Sequence, residues 1–296
     1  MKDIYDATVP VAEHRDALRR VRKTHQKLEK RATIRGDTMA LFSEELPASL
    51  MGPYELTDAE AARAGVVQGK YLNRNANLKR AWNRTQRFAP ELLLDDGPKY
   101  RVLELSTAHG AQLEVARHYG HEVMGCDFAN MVFTGKDGKG KRWGDNVAAL
   151  RGLNDTNFER KVDDHGIEIT GGLDQDWPYR PITEAINLPM TIFDGGKTPY
   201  PFDDKSYDVT MCFQAIEHYC HPKDWMRVVD EMCRITTRSI ILLLNPVHRD
   251  YARDEAYTDA FEAFRLAMRK YNRNGFYCAA TFIHWRKAHG FKLQAW

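Results

Sequence analysis

The sequence predicts an α/β fold: a doubly wound, mostly parallel sheet with helices on both faces, preceded by an all-helical N-terminal region. Three observations support this prediction. Short apolar or alternating runs begin only at Tyr100, the segments between several of them carry apolar residues at helical spacing, and the chain before them shows no strand pattern. Strands that alternate with helices favour a parallel sheet covered on both faces.

Residues 1–95 form the predicted helical region, which we expect to cover the functional site or to make interactions. Apolar residues recur at helical spacing over 13–35, and residues 2–35 hold ten Lys or Arg against five Asp or Glu. Thr57 or Asp58 is a suitable N-cap for a second helix. A third helix is predicted over the run NANLKRAWNRTQRFAPELL.

Residues 96–296 form the predicted sheet domain. Its first five strands are expected in the runs YRVLELS, HEVMGCD, MTIFDG, YDVTMCF and SIILLLN. Between the fourth and fifth, Trp225, Val228, Val229 and Met232 make an apolar stripe at helical spacing.

Two further segments complete this domain. Residues 131–177 are too long for a simple crossover loop, and their Gly and Lys content predicts an exposed insertion. At the end of the chain we predict a helix through Phe282 and Trp285, a stop at Gly290 and a last strand in FKLQAW.

Composition narrows the class of protein. Hydrophobic residues make up 43% and charged residues 28%, which is typical of a globular chain, and the net charge of +2 favours neither nucleic acid nor membrane as a partner. The five cysteines contain no C-x-x-C pair, so a reducing compartment is expected. No secretory signal or long apolar run occurs, which predicts a cytoplasmic protein without a membrane span.

Polar and small residues follow each predicted strand. Ligands of doubly wound sheets bind beyond the carboxyl ends of the strands, so these positions are the candidate site. They are Ser106 to Gly110, Asp127, Asp194, Phe213 to His218, and Asn245 with Pro246.

Four of these strand ends resemble those of the class I S-adenosylmethionine-dependent methyltransferases, over residues 97 to 250. VLELSTAHG stands in the place of the family's glycine-rich first motif, and VMGCDFA ends in its acidic residue. DGGKTPYPFDDKSYDVTMCFQAIEHYCHP is the most specific match, since its proline-aromatic turn, Tyr-Asp pair and Ile-Glu-His triplet follow the order of the small-molecule members. The resemblance implies a Rossmann-like methyltransferase sheet and S-adenosylmethionine as cofactor.

The resemblance and the residue chemistry together give the expected cofactor contacts. Asp127 lies 17 residues beyond Gly110, close to the spacing at which a carboxylate reaches ribose hydroxyls, although an Asp after a strand can instead cap a helix. Asp194 resembles the family's adenine-contacting acid, with a turn residue as the alternative. The full expected set is Glu104, Ser106, Ala108, Gly110, Asp127, Phe128, Asp194, Gly195, Phe213 and Gln214, the last two at the methionine end.

The first loop departs from the glycine-rich pattern because only Gly110 of its turn is glycine. A dinucleotide site needs several glycines so that the backbone approaches a pyrophosphate. S-adenosylmethionine has no phosphate, so Ser106 and Ala108 still leave room for it. Glu104 suits the cationic amino group or sulfonium and would repel a pyrophosphate. We therefore interpret the stretch as an atypical methyltransferase loop.

The run QAIEH supports two interpretations. In some relatives an E-x-x-E-H run binds a divalent metal; here Gln214, Glu217 and His218 stand at those positions, and an amide is a weaker Mg²⁺ ligand than a carboxylate. The alternative is that Glu217 and His218 cap and pack the following helix. For an oxygen acceptor a general base helps, and His218, Glu217 or His221 are the candidates.

The favoured function is transfer of a methyl group from S-adenosylmethionine to a hydroxyl of a small molecule or glycan. The basic N-terminal helix is consistent with an anionic acceptor such as a sugar phosphate. One alternative is an RNA 2′-O-methyltransferase, favoured by the helix arginines and the Lys-rich run GKDGKGKRW. Another is a non-catalytic scaffold of the same fold, against which the retention of Glu104, Asp127 and Asp194 argues.

Overall fold

A computed structural model describes most of the chain as one mixed eight-stranded sheet with helices. The described residues are 9–21, 46–62, 69–127, 179–193, 195–218, 220–247, 252–284 and 288–296. The strands are β1 (Arg101–Leu105), β2 (Glu122–Asp127), β3 (Met190–Ile192), β4 (Tyr207–Phe213), β5 (Thr236–Leu243), β6 (Asn272–Arg273), β7 (Phe276–His284) and β8 (Ala288–Ala295). The helices are α1 (Arg74–Phe88), α2 (Ala111–His118), α3 (Arg180–Ala185), α4 (Trp225–Ile235) and α5 (Glu255–Arg269). The predicted α/β class is therefore confirmed.

The sheet has the strand order β3-β2-β1-β4-β5-β8-β7-β6. The first five strands in this order pair in parallel, and β8, β7 and β6 add antiparallel pairs at one side. The neighbouring pairs β1/β2 and β4/β5 are joined through α2 and α4, because a parallel pair needs a long crossover. The order reverses between β1 and β4, where the carboxyl ends of neighbouring strands leave a crevice.

Two apolar cores lie on opposite faces of the sheet, because side chains alternate along each strand. One core combines Leu103, Leu105, Cys212, Ile240 and Leu242 with α4 and α5 side chains such as Trp225, Met232, Phe261 and Phe264. The other combines Val102, Val209, Met211, Ile241 and Leu243 with Phe88, Leu113, Ala116 and Ile182 from α1, α2 and α3. The predicted stripe of α4 is fully buried, which confirms its orientation.

The described residues before 96 form helices and 3₁₀ turns. Residues 11–21 and 58–62 are helical, and α1 follows. Thr57 is the second helix's N-cap: its Oγ1 accepts from the Glu60 amide at 3.3 Å, while Glu60 Oε2 accepts from the Thr57 amide at 2.8 Å. This reciprocal capping box explains why the helix begins there.

The basic helical segment contacts the edge of the sheet opposite to the carboxyl ends of β1, β2 and β4. His14 lies between the hydroxyls of Tyr100 and Ser239, at 3.2 Å from each, and Val9 N donates to Asp208 Oδ1 at 3.3 Å. These partners lie near the amino ends of β1, β4 and β5. The described part of this segment, 11–21, is therefore not placed to bind an acceptor at the predicted site, contrary to expectation.

The end of the chain also differs from the prediction. Phe282 lies in β7 and not in a helix, and Gly290 lies inside β8, opposite Phe282 and Leu243. A Cβ at Gly290 would lie 3.1 Å from Leu243 Cδ1 and 3.2 Å from Phe282 Cδ2. The glycine therefore permits close strand packing and does not end a helix.

Other predicted features lie outside the described residues, namely Trp285 and the whole 131–177 insertion. Within the described part of the chain, no helix is both long and apolar enough to cross a membrane.

Candidate functional site

The carboxyl ends of β1, β2 and β4 lie level with one another. Leu105 pairs with Cys126 of β2 and with Cys212 of β4. The next residue of each strand, Ser106, Asp127 and Phe213, therefore lies on one edge of the sheet. This places the predicted cofactor residues of three different segments together.

The loop after β1 alternates left-handed backbone positions. Ser106, Ala108 and Gly110 have φ of 54°, 49° and 74°. A Cβ at Gly110 would lie 2.7 Å from Leu188 Cδ2, so glycine is required there by sterics as well as by φ. At the two non-glycine positions the left-handed conformation costs about 1–2 kcal/mol each. The left-handed positions thus have the spacing of a glycine-rich turn, although two of the three residues carry side chains.

Asp127 holds this loop against β2. Its buried carboxylate accepts from the Ala108 amide, with Oδ2 at 2.7 Å from N. Thr107 adds a second connection, since its Oγ1 accepts from Cys126 N at 3.0 Å and donates to the Glu104 carbonyl at 2.9 Å. The carboxylate therefore lies against the turn where a ligand would enter.

Glu104 places a buried carboxyl group at the end of β1. Its Oε2 has no hydrogen-bond partner in the described structure. Burial raises the pKa of Glu104 well above its ordinary value, Arg84 opposes this shift, and Asp127 adds to it. A buried acceptor without a donor is costly. The group is accordingly suited to a ligand that brings a donor or a positive charge.

Arg84 is a site residue that the sequence interpretation missed. It comes from α1, and its guanidinium donates to Gln214 Oε1 and lies 5.7 Å from the centre of the Phe213 ring. Burial lowers the pKa of Arg84, and the nearby Glu104 carboxylate partly offsets that shift. Its one signal in the sequence is its place on the third predicted helix, one turn from Arg80.

The ends of β4 and β5 are joined by side chains. Gln214, with φ of 56°, donates from Nε2 to Asn245 Oδ1 at 2.9 Å, and Asn245 Nδ2 donates back to the Gln214 carbonyl at 3.0 Å. Glu217 Oε1 accepts a hydrogen bond from the backbone N–H of Asn245. Glu217 therefore connects two strand ends, and this contact is not a cap on the following helix.

Glu217 is also a buried titratable group. Its Oε2 has no partner in the described structure, and burial raises the pKa of Glu217 to about 7, against opposing hydrogen bonds from backbone amides and Asn245. A carboxyl group that is half ionised near neutral pH can both accept and donate a proton.

The histidines of this segment differ in position. His221 Nδ1 accepts from Lys223 N at 3.2 Å and so caps the 3₁₀ turn Pro222–Asp224, and its ring lies edge-on to Tyr257 at 5.5 Å. The backbone of His218 ends the 3₁₀ turn Ile216–His218.

Some predicted site positions are not described. The His218 side chain, Phe128 and Asp194 lie outside the described residues. Beside Asp194, the Gly195 carbonyl accepts from Tyr200 Oη at 2.7 Å.

The donor set around Gln214 does not fit a magnesium ion. In the described residues, no group of three or more His, Cys, Asp or Glu side chains is arranged to bind a metal. The Gln214 oxygen already accepts from the cationic Arg84, and one Glu217 oxygen accepts from a backbone amide. Mg²⁺ favours several oxygen ligands including carboxylates, which this arrangement does not supply.

Aromatic residues from the N-terminal region lie over the first loop. Tyr54 Oη donates to the His109 carbonyl at 3.4 Å, and the rings of Tyr71 and His109 are 4.9 Å apart. Arg80 of α1 lies 5.7 Å from the centre of the Tyr71 ring. Residues before 96 therefore form one wall of the candidate site.

Comparisons with known proteins gave matches among solved structures alone. No protein-family model and no curated protein matches the sequence. The PH0226 protein from Pyrococcus horikoshii is similar with 14% identity and a TM-score of 0.43, over 73% of this chain and 91% of that one. A SAM-dependent methyltransferase from Aquifex aeolicus has 13% identity and a TM-score of 0.37, over 75% and 98%. Magnesium protoporphyrin IX methyltransferase from Synechocystis, with bound SAH, has 11% identity and a TM-score of 0.40, over 84% and 92%.

Proposed function

We propose that this chain is a class I S-adenosylmethionine-dependent methyltransferase with a Rossmann-like sheet. One observation carries the proposal: the Oε2 atom of Glu104 is buried without a donor, at the sheet edge where Asp127 holds a left-handed loop. A buried carboxyl oxygen in that place is complementary to the positively charged methionine end of the cofactor.

The surrounding residues fit the rest of the cofactor. Asp127 lies buried against the turn at the end of β2, and we assign its carboxylate to the ribose hydroxyls. Phe213 and Gln214 line the methionine end, with Ser106, Ala108 and Gly110 as the turn that leaves room for it. Phe128, Asp194 and Gly195 are assigned to the adenine end from the resemblance.

When bound, the cofactor supplies a methyl group already activated by its sulfonium. The protein's part is to hold an acceptor in line with that methyl group and to take up a proton from it. Glu217 is the favoured base, because burial brings its pKa to about 7. His218 remains a candidate, whereas His221 already uses Nδ1 as a cap.

The acceptor proposed is a hydroxyl of a small molecule or glycan, enclosed between the sheet domain (96–296) and the helical region (1–95). The RNA alternative was favoured by the helix arginines and by the Lys-rich run inside 131–177, and that run lies outside the described residues. The scaffold alternative is disfavoured by the unpartnered oxygen of Glu104, since a site without a ligand gains nothing from that buried carboxyl group.

Calorimetric titration with S-adenosylmethionine tests the proposal. Glu104→Gln and Asp127→Asn keep side-chain shape but cannot carry a negative charge in the complex, and we expect each to weaken binding by about tenfold or more, as loss of a charge-assisted hydrogen bond would. Asp203→Asn makes the same change at an exposed loop position and should leave affinity within about twofold. Equal affinities for all four proteins, or no binding to the wild type, would refute the assignment.

A further inference from the structure

Helix α1 brings to the candidate site two arginines that have no direct ion pair with a carboxylate of the described residues. Its sequence contains Arg74, Lys79, Arg80, Arg84 and Arg87 and no acidic residue. Arg74 is neutralised by Glu114 of α2 in a buried ion pair. Within the described part of the chain, neither Arg80 nor Arg84 forms an ion pair with a carboxylate, and the two lie one turn apart on the same face.

Both guanidiniums are held in place by neutral groups. Arg80 donates to Asn77 Oδ1 and lies over the Tyr71 ring, and Arg84 donates to Gln214 Oε1 and lies over the Phe213 ring. Such contacts orient a guanidinium without cancelling its charge. Each retains N–H donors that can bind an anion.

Arg80 and Arg84 lie near the proposed methionine end of the cofactor, where the methyl group would be transferred. The Arg80 guanidinium lies over the Tyr71 ring, and that ring contacts the ring of His109 in the loop after β1. Gln214, which accepts a hydrogen bond from Arg84, follows β4 at the proposed methionine end. Arg80 is exposed whereas Arg84 is half-buried, so the two form a path from solvent toward that end.

We infer that Arg80 and Arg84 bind an anionic group of the methyl acceptor, a carboxylate or a phosphate on a small molecule. This inference rests on the proposed function and specifies the acceptor's chemistry. Two adjacent guanidiniums form forked, charge-assisted hydrogen bonds with such oxyanions, and the bound anion relieves their mutual repulsion. The acceptor would then be oriented by its charge, with its hydroxyl left free toward the methyl group.

The test uses the full chain saturated with S-adenosylhomocysteine, with inorganic phosphate and acetate as probes at constant ionic strength. Binding is followed by the NMR signals of the arginine Nε–H groups. We expect millimolar binding of at least one probe, a loss of about tenfold in Arg80→Met, and an intermediate loss in Arg80→Lys. Lys79→Met is the matched control on the same helix and should bind within about twofold of wild type.

The outcomes separate the two proposals. No binding of S-adenosylhomocysteine would remove the proposed function and this inference with it. Binding of that ligand without a response to phosphate or acetate, or equal losses in Arg80→Met and Lys79→Met, would overturn the inference alone. So would competition between the probe and the cofactor, which would assign the arginines to the cofactor carboxylate. If a single-stranded oligonucleotide bound more tightly than phosphate and acetate, with a steep salt dependence, the acceptor would be RNA and not a small molecule.

Discussion

At the residue scale, the turn after β1 holds strained backbone positions at the proposed cofactor site. Ser106 and Ala108 hold left-handed φ values that glycine adopts without cost. They persist because Asp127, Thr107 and Gly110 fix the surrounding backbone. Strained backbone positions of this kind cluster at functional sites, which is consistent with the proposed role of the turn.

Replacing Ala108 by Gly should stabilise the protein. Glycine adopts the left-handed conformation without steric strain, which stabilises the folded state by about 1–2 kcal/mol. The greater conformational entropy of glycine in the unfolded chain offsets about 0.5–1 kcal/mol, so the free energy of unfolding should rise by about 0.5–1 kcal/mol. Urea unfolding measures this change. The same substitution at Ala116, buried in α2, should instead lower the free energy of unfolding by about 1 kcal/mol. Equal destabilisation by both would contradict the strained turn.

Glu217 should give the stability a specific pH dependence. Its pKa is about 7 in the folded protein and 4.5 ordinarily, so between these values the folded state binds more protons than the unfolded chain. The free energy of unfolding should therefore fall as pH rises from about 4.5 to about 7, by up to about 3 kcal/mol, and stay level above.

Glu217→Gln isolates this contribution, because the amide oxygen can still accept from Asn245 and does not titrate. The difference between wild type and variant, measured by urea unfolding from pH 4 to 8, should show the stated fall. A difference that is independent of pH would mean that Glu217 titrates as in an exposed site.

The sequence predicts some of these residues and misses others for physical reasons. Asp127 and Gly110 stand at recognisable strand ends, so their shared edge follows from the strand pattern. The left-handed Ser106 and Ala108 have no such signal, because neither residue type favours that backbone region. Arg84 was missed because its role depends on how α1 packs across the sheet, which local sequence does not encode.

At the element scale, a buried ion pair links the segment after α1 to strand β8 of the sheet. Glu91, in the 3₁₀ turn Pro90–Leu93 after α1, pairs with Lys292 of β8, and both side chains are buried. The second oxygen of Glu91 has no partner in the described structure. Its carboxylate therefore depends strongly on the lysine.

Lys292→Met should lower the free energy of unfolding by about 3–5 kcal/mol, because it leaves a buried carboxylate uncompensated. Adding Glu91→Gln removes that charge and should restore most of the loss. A double-mutant cycle by urea unfolding gives the coupling. Additive losses would show that the pair contributes nothing specific.

Prediction of elements succeeds where the periodicity is strong and fails where it is ambiguous. The first five strands and α4 match the sequence pattern. The run through Phe282 was assigned to a helix because its apolar spacing is compatible with both periods. The segment forms a strand because it pairs antiparallel with β8, and the local apolar spacing does not reveal that tertiary pairing.

At the scale of the whole molecule, helices before residue 96 bring arginines to both edges of the sheet. The segment 11–21, with three arginines and two acids, contacts the edge of the amino strand ends, while α1 brings Arg80 and Arg84 to the carboxyl edge. The acidic groups Glu104, Asp127 and Glu217 lie at that second edge. These acids and arginines would meet the opposite charges of the proposed cofactor and of the proposed anionic acceptor.

A crystal structure of the protein with S-adenosylmethionine at saturating concentration tests the central claim most directly. We expect the ribose hydroxyls within hydrogen-bonding distance of Asp127 and the positively charged methionine end beside Glu104. Ligand density elsewhere on the molecule, or an unchanged crevice at a saturating concentration, would contradict it.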